Sequence, residues 1–158
     1  MKPKYQMSGL LLTALLIVSA SAGAAPIDKN ADANDVALHG YDPIAYFKAG
    51  APTRGKAGIT VAHDGVIYRF ASVANRDAFQ QDPRRYVPQF GGFCAMGTAM
   101  GLKLDVDPQA WRIVDGKLYL NLNKDVQKKW LSDIPGHLSQ ANAKWPEIQD
   151  KDPKSLKN

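Results

Sequence analysis

The stretch Ile59–Ala71, I-T-V-A-H-D-G-V-I-Y-R-F-A, decides the fold. Two β-rich runs, I-T-V-A-H and V-I-Y-R-F-A, flank Asp64-Gly65, a dipeptide suited to the positive φ that a two-residue hairpin turn demands at both centres. The spacing predicts an antiparallel hairpin. Ser72 then stands as an N-cap, and the residues after it predict a helix with Phe79 on its inner face. That helix runs to Asp82-Pro83, with a short further turn through Arg84, Arg85 and Tyr86. The same order returns 51 residues later: W-R-I-V and K-L-Y-L-N-L flank Asp115-Gly116, and Asn123 caps a helix carrying Val126 and Trp130. Ile67, Tyr68, Phe79 and Asp82 meet Leu118, Tyr119, Trp130 and Asp133 at that offset. The pattern predicts a small single α+β domain with two antiparallel β-hairpins, each followed by a helix, the helices packed on one face.

Working outward, Asp42-Pro43 reads as an N-cap with proline at N1, and Gly50 sits where a helix stops. Pro43 to Lys48 is therefore a predicted short helix with Ile44, Tyr46 and Phe47 as burial candidates. Residues 49–58 read as loop. Pro135-Gly136 is expected to break the helix after Trp130, with a last helix over His137–Trp145 closed by Pro146. The domain is expected over 38–148, with a small, polar, flexible lead-in over 25–37 and a disordered Lys/Asp-rich tail over 149–158.

The first 24 residues are read separately. Lys2 and Lys4 precede the apolar run Leu10–Val18, and Ala22-Gly23-Ala24 offers a small-x-small cleavage site. This is the pattern of a cleavable signal peptide, so the protein is expected to be periplasmic or secreted, with cleavage after Ala24. The run is about half the roughly 20 residues that a membrane span needs, so no span is expected after cleavage. Loss of the two leader lysines takes the formal charge from +5 to +3. That is too mild to argue for a nucleic-acid partner. A metal ion or a periplasmic protein is the expected partner.

One cysteine excludes an internal disulfide and a multi-cysteine zinc site. Fourteen Asp against one Glu invite a calcium reading, but no D-x-[DN]-x-[DN]-G loop is present, and most of these Asp sit at turns and caps. Arg76, Arg84 and Arg85 read as a solvated basic face. No G-x-G-x-x-G, P-loop or paired-carboxylate pattern occurs. The unusual stretch is Y-V-P-Q-F-G-G-F-C-A-M-G-T-A-M-G-L, residues 86–102. Every sulfur atom beyond the leader lies there, in Cys94, Met96 and Met100. If 93–100 is helical, the two methionines share a face and Cys94 sits near the helix start. Thiolate and thioether suit a soft ion such as copper(I), with imidazole as a further ligand from His39 or His63. The opposing reading makes Ala95, Met96, Ala99 and Met100 the packing face of a helix. Cys94 itself has two further readings. One is a redox thiolate favoured by a helix N-terminus; the other is a buried, inert residue of a protein-binding or structural module. A cysteine hydrolase needs an oriented His that sequence alone does not show, so no catalytic residue is assigned, and a non-enzymatic role is expected.

At G-Y-D-P-I-A-Y-F (40–47), Y-R-F-A-S-V-A-N-R-D-A-F-Q-Q-D-P-R-R-Y-V-P-Q-F-G-G-F-C-A (68–95) and D-P-Q-A-W-R-I-V-D-G-K-L-Y-L-N (107–121), the chain resembles the exported YHS-domain proteins. The resemblance runs from Leu38 to Ile148 and includes Asp42-Pro43, Tyr68, Phe70, Ser72, Phe79, Pro83 and Tyr86. It implies an association with heavy-metal handling. The cysteines that metal-binding members are thought to use are replaced here by Ile44, Ala45, Ala71 and Ala74 or Asn75, and Ala71 stands in place of the His before Ser72. In the exported subfamily the Cys94 position resembles one sometimes filled by selenocysteine, which implies a redox or soft-metal role. The expectation is therefore soft-metal binding through Cys94, Met96 and Met100, with His39 or His63 completing the set.

Overall fold

The computed structural model describes residues 25–157; the expected leader lies outside them. Helix α1 covers Pro43–Lys48, and strands β1 (Lys56–His63) and β2 (Val66–Phe70) form the first hairpin. Helices α2 (Val73–Gln81) and α3 (Pro83–Tyr86) follow, then α4 (Ala95–Ala99). Strands β3 (Asp107–Val114) and β4 (Lys117–Asn121) form the second hairpin, followed by α5 (Lys124–Leu131) and α6 (Ile134–Ile148). The result is an α+β domain with two separate two-stranded antiparallel sheets. No described helix is long and apolar enough to cross a membrane.

Both hairpins turn where the sequence places them, with positive φ at Asp64, Gly65, Asp115 and Gly116. β2 turns Val66, Tyr68 and Phe70 into the core, where Phe79 of α2 meets both aromatic rings. In the second hairpin Tyr119 stacks beside the fully buried Trp130 of α5. The caps are also in place: Ser72 accepts from Asn75 N–H and Asn123 from Val126 N–H.

The structure shows that the repetition extends beyond what the sequence reading covers. Thr60↔Arg69, Val61↔Tyr68, Ala62↔Ile67 and His63↔Val66 in the first hairpin become Trp111↔Leu120, Arg112↔Tyr119, Ile113↔Leu118 and Val114↔Lys117 in the second. Both hairpins shift register at the same place, after Lys56 and after Asp107. Ahead of the hairpins the correspondence continues at an offset of 52. Leu38, His39 and Gly40 have φ of 54°, 50° and 78°; Phe90, Gly91 and Gly92 have 53°, 60° and 84°. Ala37 N–H donates to Ile67 O as Gln89 N–H does to Leu118 O, and Asp42 N–H donates to Thr53 O as Cys94 N–H does to Leu104 O. The offset drops from 52 to 51 because α4 is one residue shorter than α1.

Three expectations change. Pro146 lies inside α6 rather than closing it, and the helix runs on to bury Ile148. Pro135 occupies the first turn of α6, where its missing N–H costs nothing, and Asp133 caps Gly136 N–H. Of residues 93–100, whose helicity the shared methionine face assumed, only Ala95–Ala99 is α-helical.

The lead-in and the tail, read as flexible and disordered, are both tied to the domain. Asp35 O and Ala37 N–H bond to Ile67, and Asn30 N–H donates to Gly91 O. The tail forms a 3-10 turn over Pro153–Leu156. Lys103 joins the two: its side chain is 2% exposed, and Nζ donates to Ile27 O, Gln149 O (2.8 Å) and Lys151 O (2.7 Å) while lying over the Phe93 ring. One buried ammonium thus binds carbonyls from both segments.

Candidate functional site

Cys94 is the N-cap of α4 and is 0% exposed. Its Sγ accepts from Gly97 N–H and from Leu122 N–H, both at 3.3 Å, and lies 3.8 Å from Asn121 Oδ1. That oxygen also accepts from Met96 N–H at 3.3 Å. Burial pushes the thiol pKa up; the nearby backbone N–H groups of Gly97, Leu122 and Met96 offset this only in part. A raised thiol pKa runs against the acidic thiolate that a redox role calls for.

Asp42 holds the equivalent place in the first repeat. It caps α1 by accepting from Ile44 N–H at 2.8 Å, and it accepts from Ala71 N–H at 2.8 Å. Ala71 is the counterpart of Leu122, so in each repeat a buried side chain ties the start of a helix to the end of its hairpin. Asn75 Nδ2 gives the Asp42 carboxylate a third bond at 2.7 Å. Its counterpart is the apolar Val126, and the polar partner in the second repeat is Asn121, which is 0% exposed and stands where the first repeat has Phe70. Among the described residues Asn121 Nδ2 has no hydrogen-bond partner. A neutral sulfur with two donors and a carboxylate with three donors are chemically consistent caps.

The other expected ligands differ in their surroundings. Met96 is half-buried among core side chains, whereas Met100 caps the far end of α4 and is 65% exposed. His39 bonds through Nε2 to Asp105 Oδ1 at 2.9 Å, at the left-handed turn before α1. His63 stands beside the first hairpin turn, 3.5 Å from Asp64 Oδ2 and edge-on to Phe79. Among the described residues no group of three or more His, Cys, Asp or Glu side chains is placed to hold a metal ion.

The sequence reading missed Asp105, Asn121 and Lys103. Asp105 accepts from Asn30 Nδ2, from its neighbour Val106 N–H, and pairs with His39. Burial raises its pKa, but these hydrogen bonds and the His39 charge prevail and hold it below the usual value of 3.8. Asp105 and Lys103 border a recess of about 810 Å³ between the 25–35 segment and the tail, with Phe93 in its wall. The sole hint in the sequence is the alternation L-K-L-D-V, which has no motif value. The chain matches no family model, no curated protein and no solved structure.

Proposed function

We propose that the chain is an exported YHS-domain protein that works without catalysis, as a binding module for a protein of the same compartment, with Cys94 as a buried structural cap. The carrying observation is the cap itself: Sγ is fully buried and accepts two backbone N–H bonds in the place that Asp42 fills in the first repeat. A side chain that closes a helix and a hairpin together is engaged before any ligand arrives. The recess beside Phe93, edged by Lys29, Lys154 and Lys157 as well as Asp32 and Asp105, is where we place the partner.

Soft-metal binding through Cys94, Met96 and Met100 is the competing reading, favoured by the presence of all three sulfurs within seven residues. It requires the α4 cap to open so that a buried and an exposed sulfur meet. A copper(I) competition against a chromogenic chelator separates the two. The binding-module reading predicts equal, weak copper uptake by the wild type and Cys94→Ser. Tight uptake lost in Cys94→Ser would establish the metal reading instead.

A further inference from the structure

Ala25 N donates to Asp35 Oδ1 at 2.6 Å. In the unprocessed chain this nitrogen is an amide with a single proton. Hydrolysis of the Ala24–Ala25 bond by a leader peptidase adds water across it: the new carboxyl leaves with the leader, and Ala25 keeps an amine that is protonated at neutral pH. The same atom, in the same place, then faces the carboxylate as an ammonium.

The acceptor is held ready. Asp35 has φ of 60°, its N–H donates to Asp32 O at 2.9 Å, and its O accepts from Ile67 N–H at 2.7 Å. Asp32 Oδ1 fixes the turn from the other side by accepting from Asn34 and Val36 N–H. The donor end is held as well: the Pro26 ring fills the space beside Gly65, and Asp28 O comes so close to Gly91 that a Cβ there would stand 1.8 Å from it. Residues 25–37 therefore form a strap closed on itself by the Ala25–Asp35 contact, touching the first hairpin turn and the loop ahead of α4.

We propose that removal of the leader completes the fold, because the α-ammonium released on Ala25 pairs with Asp35 and locks the strap across both repeats. The inference rests on cleavage after Ala24 and is independent of the binding-module reading. An ammonium–carboxylate bond in a partly buried place outweighs the amide-to-carboxylate bond that it replaces, because both partners are then charged.

The test uses full-length protein expressed in an exporting host and purified after processing. Mass spectrometry identifies the first residue, and acetylation at neutral pH reads the reactivity of the α-amine. Two variants accompany the wild type: Asp35→Asn, and insertion of Gly-Ser between Ala24 and Ala25, which moves the amine two residues from the carboxylate. Far-UV circular dichroism confirms folding, and the insertion keeps the test decisive if Asp35→Asn fails to fold. The expected result is a wild-type chain starting at Ala25 whose amine reacts about five-fold more slowly than that of either variant, with faster proteolysis at Lys29 in both variants. A chain starting elsewhere, or an amine at Ala25 that reacts equally fast in all three proteins, would overturn the proposal.

Discussion

Replacing Cys94 with alanine removes three contributions that the structure makes separable. The α4 N-cap, worth about 1 kcal/mol, disappears with the Gly97 N–H···Sγ bond. Leu122 N–H at the end of β4 loses its acceptor, at about 1 kcal/mol when the donor is only partly buried. Loss of a fully buried sulfur adds about 1 kcal/mol of burial and packing. Cys94→Ala is therefore expected to destabilise the protein by about 3 kcal/mol, and Cys94→Ser, whose hydroxyl restores a cap but not the volume, by about 1–2 kcal/mol. Asp42→Ala, which removes a buried charged acceptor from three donors, is expected to cost more than Cys94→Ala. Urea unfolding of the metal-free proteins at constant slope measures all three. A Cys94→Ala loss below about 0.5 kcal/mol, or a serine variant no better than alanine, would refute the cap argument, because a ligand side chain awaiting its metal leaves metal-free stability nearly unchanged.

Lys103→Met keeps the apolar stem but leaves the carbonyls of Ile27, Gln149 and Lys151 without their shared donor. Hydrogen exchange over 26–31 and 149–156 should rise about ten-fold at both ends together while β2 and β4 stay protected; loosening at one end alone contradicts a shared clasp. Asp105 has a folded pKa held below its ordinary value, so its stabilising contribution is present above about pH 3.8 and is lost as pH falls through the lower folded value. Asp105→Asn should flatten this part of the stability–pH curve, measured by thermal melts between pH 2 and 6; an unchanged acid limb would show that the Asn30 and His39 contacts do not stabilise the charged form.

The hairpins were legible because their signals are local: Asp-Gly at a two-residue turn and a small polar cap after the second strand are each complete within about 15 residues. The repeat beyond them was not, since L-H-G-Y-D-P and F-G-G-F-C-A share only one glycine and an aromatic, and the shorter α4 shifts the offset by one. Cys94 looked like a site because sulfur is rare in this chain. Its equivalence to Asp42 is a matter of which backbone N–H groups converge on it, and those come from Gly97 nearby and from Leu122 across the fold. Helix periodicity over 93–100 also hid that Met96 and Met100 lie at opposite ends of a one-turn helix, one half-buried and the other exposed. The contacts of the two end segments were not legible either, because Lys103, which binds carbonyls of both, lies far from each in sequence.

If Cys94 is a buried cap, its burial is read by the rate at which the thiol reacts with Ellman's reagent in the processed native protein, with and without copper(I), against the rate in denaturant. Reaction is expected only on unfolding, with a native rate at least about 100-fold slower and indifferent to copper. Fast native reaction that copper blocks, or fast native reaction that copper leaves unchanged, would contradict it and point to a metal-binding or a redox thiol respectively.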